Sequence, residues 1–206
     1  MSISPKPSVI AFDVFGTLVH ITQKRAPYKQ LIDWMKEQSR LPQPDDAAVI
    51  MSYSDDFEEL AERFGLTLPE KLLTKLYHDL EAELHSIQLY DDTLSTLEQL
   101  KQAGFKIAVC SNLATPYGKA VFPMLPLLDA YAWSYEVGAI KPDPQTYQYL
   151  IDQLQCRADE VLFVGDTPLA DVKGPIAFGM SARLINRKDG QTLKDVLQSL
   201  CYRGDI

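Results

Sequence analysis

At 206 residues, 46% of them hydrophobic, the chain is long enough for one substantial core with room for a modest insertion. A formal charge of −8 argues against nucleic acid as the principal partner, because a phosphate backbone calls for a basic face. Cys110, Cys156 and Cys201 are widely spaced with no metal-ligand pattern, which suits a reducing cytoplasm, and residues 1–8 lack an apolar run, so neither a signal peptide nor a membrane anchor is expected.

The first element in chain order is the run at residues 9–12. It is apolar without alternation, as in a strand covered on both faces. It ends at Asp13 and the turn Val14-Phe15-Gly16-Thr17. Open α/β sheets bind ligands just beyond the carboxyl ends of such strands, so Asp13 stands where a nucleophile would be placed. Gly16 permits the sharp exit, and the Thr17 hydroxyl is suited to holding a neighbouring backbone or carboxylate oxygen.

Helical spacing follows. Tyr28, Leu31, Ile32 and Met35 repeat at i, i+3, i+4 and i+7; Pro42-Gln43-Pro44 breaks the pattern; Phe57, Leu60, Ala61 and Phe64 restore it before Gly65. A third helix is expected from about Glu70 to Leu84, after Pro69. Thr93 to Ala103 reads as the helix that returns the chain, stopped at Gly104.

Further apolar runs at 106–110, around 130–136, at 161–164 and at 181–185 alternate with helical patterns. A final helix is expected over Thr192 to Leu200, followed by a polar end, and the stretch Val121 to Leu128 is expected to pack in the core. This alternation predicts an α/β fold, a Rossmann-like doubly wound parallel sheet with helices on both faces. The span between the first two runs far exceeds one crossover helix. The expected organisation is therefore a core of residues 1–19 and 88–206 with a small all-helical cap domain at 20–87. Because the insert leaves the chain just after Asp13, it is read as a lid that excludes water on closing, the alternative being a decoration that only stabilises the core.

Three more segments carry chemistry. Ser111 and Asn112 end the second run and offer a hydroxyl and an amide to a phosphoryl or carboxylate oxygen, although a strand-ending turn would also explain Asn112. Lys141, in Gly138-Ala139-Ile140-Lys141-Pro142-Asp143-Pro144, is kept out of helix by Pro142 and precedes a helix that Pro144 opens. Asp166 and Asp171, in Gly165-Asp166-Thr167-Pro168-Leu169-Ala170-Asp171, are spaced to bring two carboxylates to one cation, with an N-cap role open for Asp171.

Taken in order, these four segments resemble the motifs of the haloacid dehalogenase (HAD) superfamily over nearly the whole chain. The resemblance implies that Asp13 is a covalent nucleophile, that Thr17, Ser111, Asn112 and Lys141 support catalysis and substrate binding, and that Lys141 compensates charge between nucleophile and substrate. It also implies Mg²⁺ held by Asp13, the Phe15 backbone carbonyl and Asp166, with Asp171 nearer a water-mediated role.

The pattern breaks at Phe15. Many phosphatases of the superfamily carry an aspartate there that protonates the leaving oxygen, and general acid–base help is typically worth ~10²–10⁴ in rate. An aromatic at this position instead resembles the 2-haloacid dehalogenases, which need no metal; their fourth motif, however, usually replaces the aspartate corresponding to Asp166 with serine. The expectation is a cytoplasmic, Mg²⁺-dependent phosphohydrolase acting on a small phosphorylated metabolite through an aspartyl-phosphate. The alternatives are a metal-independent dehalogenase, or a phosphate- and metal-binding module that no longer turns over. Tyr28, Lys24, Arg25 and His20 lie near the start of the insertion with no role assigned, and neither the substrate nor the oligomeric state is legible.

Overall fold

The computed structural model describes residues 7–126 and 128–201, so the first six residues, Leu127 and the polar end from residue 202 lie outside the described residues, as does the Cys201 side chain. In chain order the elements are β1 (Val9–Phe12), β2 (Val19–Ile21), α1 (Pro27–Glu37), α2 (Asp46–Ser52), α3 (Phe57–Arg63), α4 (Glu70–His85), β3 (Ile87–Leu89), α5 (Thr93–Gln102), β4 (Lys106–Ser111), α6 (Thr115–Val121), β5 (Ala130–Trp133), α7 (Ser134–Val137), α8 (Pro144–Leu154), β6 (Val161–Gly165), α9 (Gly174–Phe178), β7 (Ser181–Leu184) and α10 (Leu193–Cys201).

A five-stranded sheet runs in the order β5-β4-β1-β6-β7, and every pairing in it is parallel. Successive residues of a strand face opposite sides, so the unbroken apolar runs feed two cores at once. Ile10 and Phe12 join Leu97, Ile107, Val109, Leu193 and Leu197 on one face. Val9 and Ala11 join Ala108, Cys110, Tyr147, Leu150 and Phe163 on the other. The chain travels outward from β1 through β4 to β5, then returns to β6 on the other side of β1. That reversal is the switch point of a doubly wound sheet, where strand ends leave a crevice.

The expected strand around 130–136 is shorter. It stops at Trp133, where the backbone turns into α7 at Ser134, whose hydroxyl accepts from the Leu113 N–H at 3.0 Å and donates to the Leu113 carbonyl at 3.1 Å. In the stretch after α6, Val121 and Leu125 are buried as expected, while Phe122 is more than half exposed.

Residues 27–85 form four helices around an apolar cluster built on Leu31, Met35, Ile50, Phe57, Leu60 and Leu76, which Ala114 joins from the sheet side. Helix α2 has no counterpart in the sequence reading. The group is joined to the sheet by an antiparallel ribbon in which Val19 pairs with Leu89, His20 with Gln88 and Ile21 with Ile87. A second junction is polar: the Tyr117 hydroxyl of α6 donates to the buried Glu83 of α4 at 3.1 Å, and the Ala26 N–H donates to the same carboxylate oxygen at 3.0 Å. Among the described residues no helix is long and apolar enough to cross a membrane.

Candidate active site

The carboxyl ends of β1, β4 and β6 bring Asp13, Ser111 and Asp166 to one edge of the sheet. Asp13 is 8% exposed. Its N–H donates to the Val164 carbonyl at 2.9 Å, extending the β1 ladder by one bond and fixing where the side chain leaves the sheet. Ser111 Oγ donates to Asp13 Oδ1 at 3.0 Å and Lys141 Nζ donates to the same oxygen at 2.8 Å. Asp13 Oδ2 accepts no hydrogen bond among the described residues.

Lys141 arrives from a turn whose bond to Pro142 is cis, ahead of α8, where the Asp143 side chain caps the helix by accepting from the Gln145 N–H at 2.9 Å. Its ammonium is buried. It donates to Asp171 Oδ1 at 2.6 Å and lies 5.0 Å from the Phe163 ring centroid. Burial acts to lower the pKa of Lys141, yet the charges of Asp13 and Asp171 outweigh it and raise it. Burial pushes the Asp171 carboxyl upward; the Lys141 ammonium opposes that rise and the Asp13 charge adds to it.

Asp171 differs from an N-cap. It lies within a π-helical turn, Pro168–Lys173, and its Oδ2 accepts from the Thr167 N–H four residues back at 2.8 Å. Gly165 makes room for it, since a Cβ there would collide with the Asp171 carboxylate. Asp166 is less committed. Its carboxylate accepts the Thr167 hydroxyl, at 3.1 Å, as its one side-chain donor among the described residues, and burial together with the Asp13 charge raises its pKa. One carboxylate oxygen from each of Asp13, Asp166 and Asp171 lies within 4.8 Å of the others.

This donor set fits a hard divalent cation. Asp171 has both oxygens engaged, whereas Asp13 and Asp166 each keep an oxygen without a partner among the described residues, and the Phe15 carbonyl accepts no hydrogen bond there. Three carboxylates against one ammonium leave two formal negative charges in a partly buried site, which an ion such as Mg²⁺ would balance. Gly16, at φ 81°, places the turn so close to Asp166 that a Cβ would overlap its carboxylate.

Two residues do something other than the sequence suggests. The Asn112 amide faces Lys141 instead of Asp13, accepting from the Lys141 N–H at 2.7 Å and donating to the Lys141 carbonyl at 2.8 Å. The Thr17 hydroxyl is buried with no partner among the described residues. Phe15 turns its ring to the edge of Tyr117, with centroids 5.7 Å apart.

Arg187 escaped the sequence reading. Its Nε and Nη2 donate to the Thr17 carbonyl at 3.0 and 2.7 Å, its Nη1 donates to Asp92 at 3.0 Å, and its guanidinium lies 4.2 Å from the Tyr90 ring centroid. It fastens the turn after Asp13 to the base of the ribbon. Nothing local marks it, because its partner Thr17 is 170 residues away.

A parallel doubly wound sheet here gathers an acid, a hydroxyl, a buried lysine and an acidic pair at its strand ends, the edge where open α/β sheets bind their ligands. Residues 7–179 match the family of haloacid dehalogenase-like hydrolases, and the chain belongs to that family. The (S)-2-haloacid dehalogenase 1 of Pseudomonas sp. (strain CBS-3) is 29% identical over 189 residues, covering 85% of this chain and 83% of that protein. The phosphoglycolate phosphatase of Mannheimia succiniciproducens is 30% identical over 139 residues, 66% of this chain and 53% of that one. Among solved structures, a HAD phosphatase from Thermococcus onnurineus superimposes with a TM-score of 0.57 at 25% identity, covering 90% and 89% of the two chains.

Proposed function

We propose that this hydrolase is a Mg²⁺-dependent phosphatase that removes a phosphoryl group from a small phosphorylated metabolite through an aspartyl-phosphate on Asp13. The observation that carries the reading is Asp166, a carboxylate beside Asp13 with no cationic partner among the described residues. Without a cation, that charge would repel the anionic substrate of either reaction open to this family.

Asp13, Asp166 and the Phe15 carbonyl would hold the ion, with Asp171 reaching it through water; the ion would offset charge on the phosphoryl oxygens. A carboxylate oxygen of Asp13 attacks phosphorus, and the bond from phosphorus to the leaving oxygen breaks. Water then cleaves the aspartyl-phosphate, releasing inorganic phosphate and regenerating Asp13. Lys141 and Ser111 orient Asp13 by donating to its Oδ1, and both would donate to the incoming phosphoryl oxygens. The helices at 27–85, hung on the β2–β3 ribbon beside Asp13, act as the lid. With Phe15 in place of an acid, turnover favours good leaving groups such as acyl phosphates.

The dehalogenase reading has two supports: the aromatic at Phe15 and the similarity to the Pseudomonas enzyme along most of both chains. It requires a cation from the lid to meet the haloacid carboxylate. Arg40 is paired with Asp46 and stacked on Phe64, and Arg63 is paired with Asp55 and stacked on Tyr53, whereas Arg25, exposed at the start of the insertion, has no ion-pair partner among the described residues and is the lid arginine this reading would use. Parallel assays decide: inorganic phosphate from acetyl phosphate with Mg²⁺ or with chelator, and halide from 2-chloropropionate without metal. Chelator-sensitive phosphate release supports the phosphatase; metal-independent halide release overturns it.

A further inference from the structure

A cavity of about 340 Å³ opens beside the acidic cluster, between the turn after β1 and the loop after β7. It shares Gly16 and Asp166 with the site; Tyr90, Asn186, Arg187 and Lys188 line its polar side, Asn186 already engaged with Asp189 and Arg187 with Thr17 and Asp92, while Pro168 and Leu184 supply apolar surface. Tyr90 is held in place: its N–H donates to the Leu18 carbonyl at 3.1 Å, its ring lies 4.7 Å from that of His20, and Arg187 packs on it. Its hydroxyl makes no hydrogen bond among the described residues. Lys188 has no ion-pair partner there either; the neighbouring Asp189 is spent on Asn186, and Asp92 on Arg187.

We propose that this cavity is a subsite for a carboxylate at the far end of the substrate, so that the preferred substrates are short phosphorylated acids. This rests on the phosphatase reading, which puts the phosphoryl group at Asp13. The Tyr90 hydroxyl and the Lys188 ammonium are the donors on this lining without partners among the described residues, one of them charged, which is the chemistry a carboxylate calls for, and the apolar wall suits a carbon chain of two or three atoms. Asp166 is the one carboxylate on the wall, and the cation it would share with Asp13 offsets its repulsion.

The test is a matched pair that cannot be hydrolysed, 2-carboxyethylphosphonate and 2-carbamoylethylphosphonate, titrated calorimetrically into the full chain with Mg²⁺. Phosphate release from 4-nitrophenyl phosphate, run on the same preparation, reports separately on the phosphatase reading. The carboxylate is expected to bind about tenfold more tightly than the amide, and K188Q and Y90F are each expected to cut that preference to about threefold or less. Equal affinities, or no binding by either compound, would overturn the subsite whether or not 4-nitrophenyl phosphate is hydrolysed. A preference that survives both substitutions would also overturn it, since the carboxylate would then be recognised elsewhere.

Discussion

The Asn112 side chain brackets Lys141, accepting from its N–H at 2.7 Å and donating to its carbonyl at 2.8 Å. The amide positions the ammonium that reaches Asp13. Asn112→Ala is expected to destabilise the fold by ~1–3 kcal/mol, the usual cost of orphaning buried polar groups, seen as a lower melting temperature. Small displacements of a reacting group cost up to ~10² in rate, and a loss of kcat of that order is expected in a phosphate-release assay.

Removing the ammonium itself has a larger consequence. In Lys141→Met the carboxylates of Asp13 and Asp171 lose their shared partner, and breaking a buried pair from one side typically costs ~3–5 kcal/mol. Urea unfolding is expected to show a midpoint well below that of the parent chain. Lys141→Met,Asp171→Asn should recover part of the stability without recovering activity.

Gly16 tests the contact between the turn and Asp166. Gly16→Ala imposes an L side chain at φ 81° and drives a methyl group into the Asp166 carboxylate, with backbone strain of ~1–3 kcal/mol. The Mg²⁺ concentration for half-maximal phosphate release is expected to rise at least tenfold, and an unchanged Mg²⁺ requirement would remove Asp166 from the cation site.

The cluster of Asp13 with Ser111, Lys141 and Asp166 was legible because each belongs to a local pattern. Asp13 and Asp166 follow, and Ser111 ends, short unbroken apolar runs that read as buried strands, and Lys141 stands before Pro142 in a turn. The fold class followed from the same runs. What escaped depends on distant partners: Asn112 on Lys141, Arg187 on Thr17, Tyr117 on Glu83. Helix α2 escaped for a different reason. Its seven residues, Asp46–Ser52, hold an unbroken apolar run from Ala47 to Met51 too short to set a helical period apart, and the segment is held by Arg40, which donates to both oxygens of Asp46 at 2.8 and 2.6 Å.

That anchor gives the insertion an acid-sensitive edge. The Arg40 guanidinium holds the Asp46 carboxyl below the ordinary carboxylate range, and Lys75 with Gln30 lowers that of Asp79 to about 2. Both are depressed relative to an unfolded value near ~3.9, so their stabilisation is fully present above that pH and is lost as pH falls through the folded values. Circular dichroism melts are expected to be insensitive to these groups from pH 7 to 5 and to fall steeply below about pH 4. Asp46→Asn should flatten part of that acid limb.

The central claim is that Asp13 carries a phosphoryl group in a cation-dependent reaction. The most direct measurement is inorganic phosphate release from acetyl phosphate by the parent chain and by Asp13→Asn, each with Mg²⁺ and with excess chelator. Release by the parent with Mg²⁺ alone, absent from a folded Asp13→Asn, is the expected result. Equal release by Asp13→Asn, or release undiminished by chelator, would contradict the account.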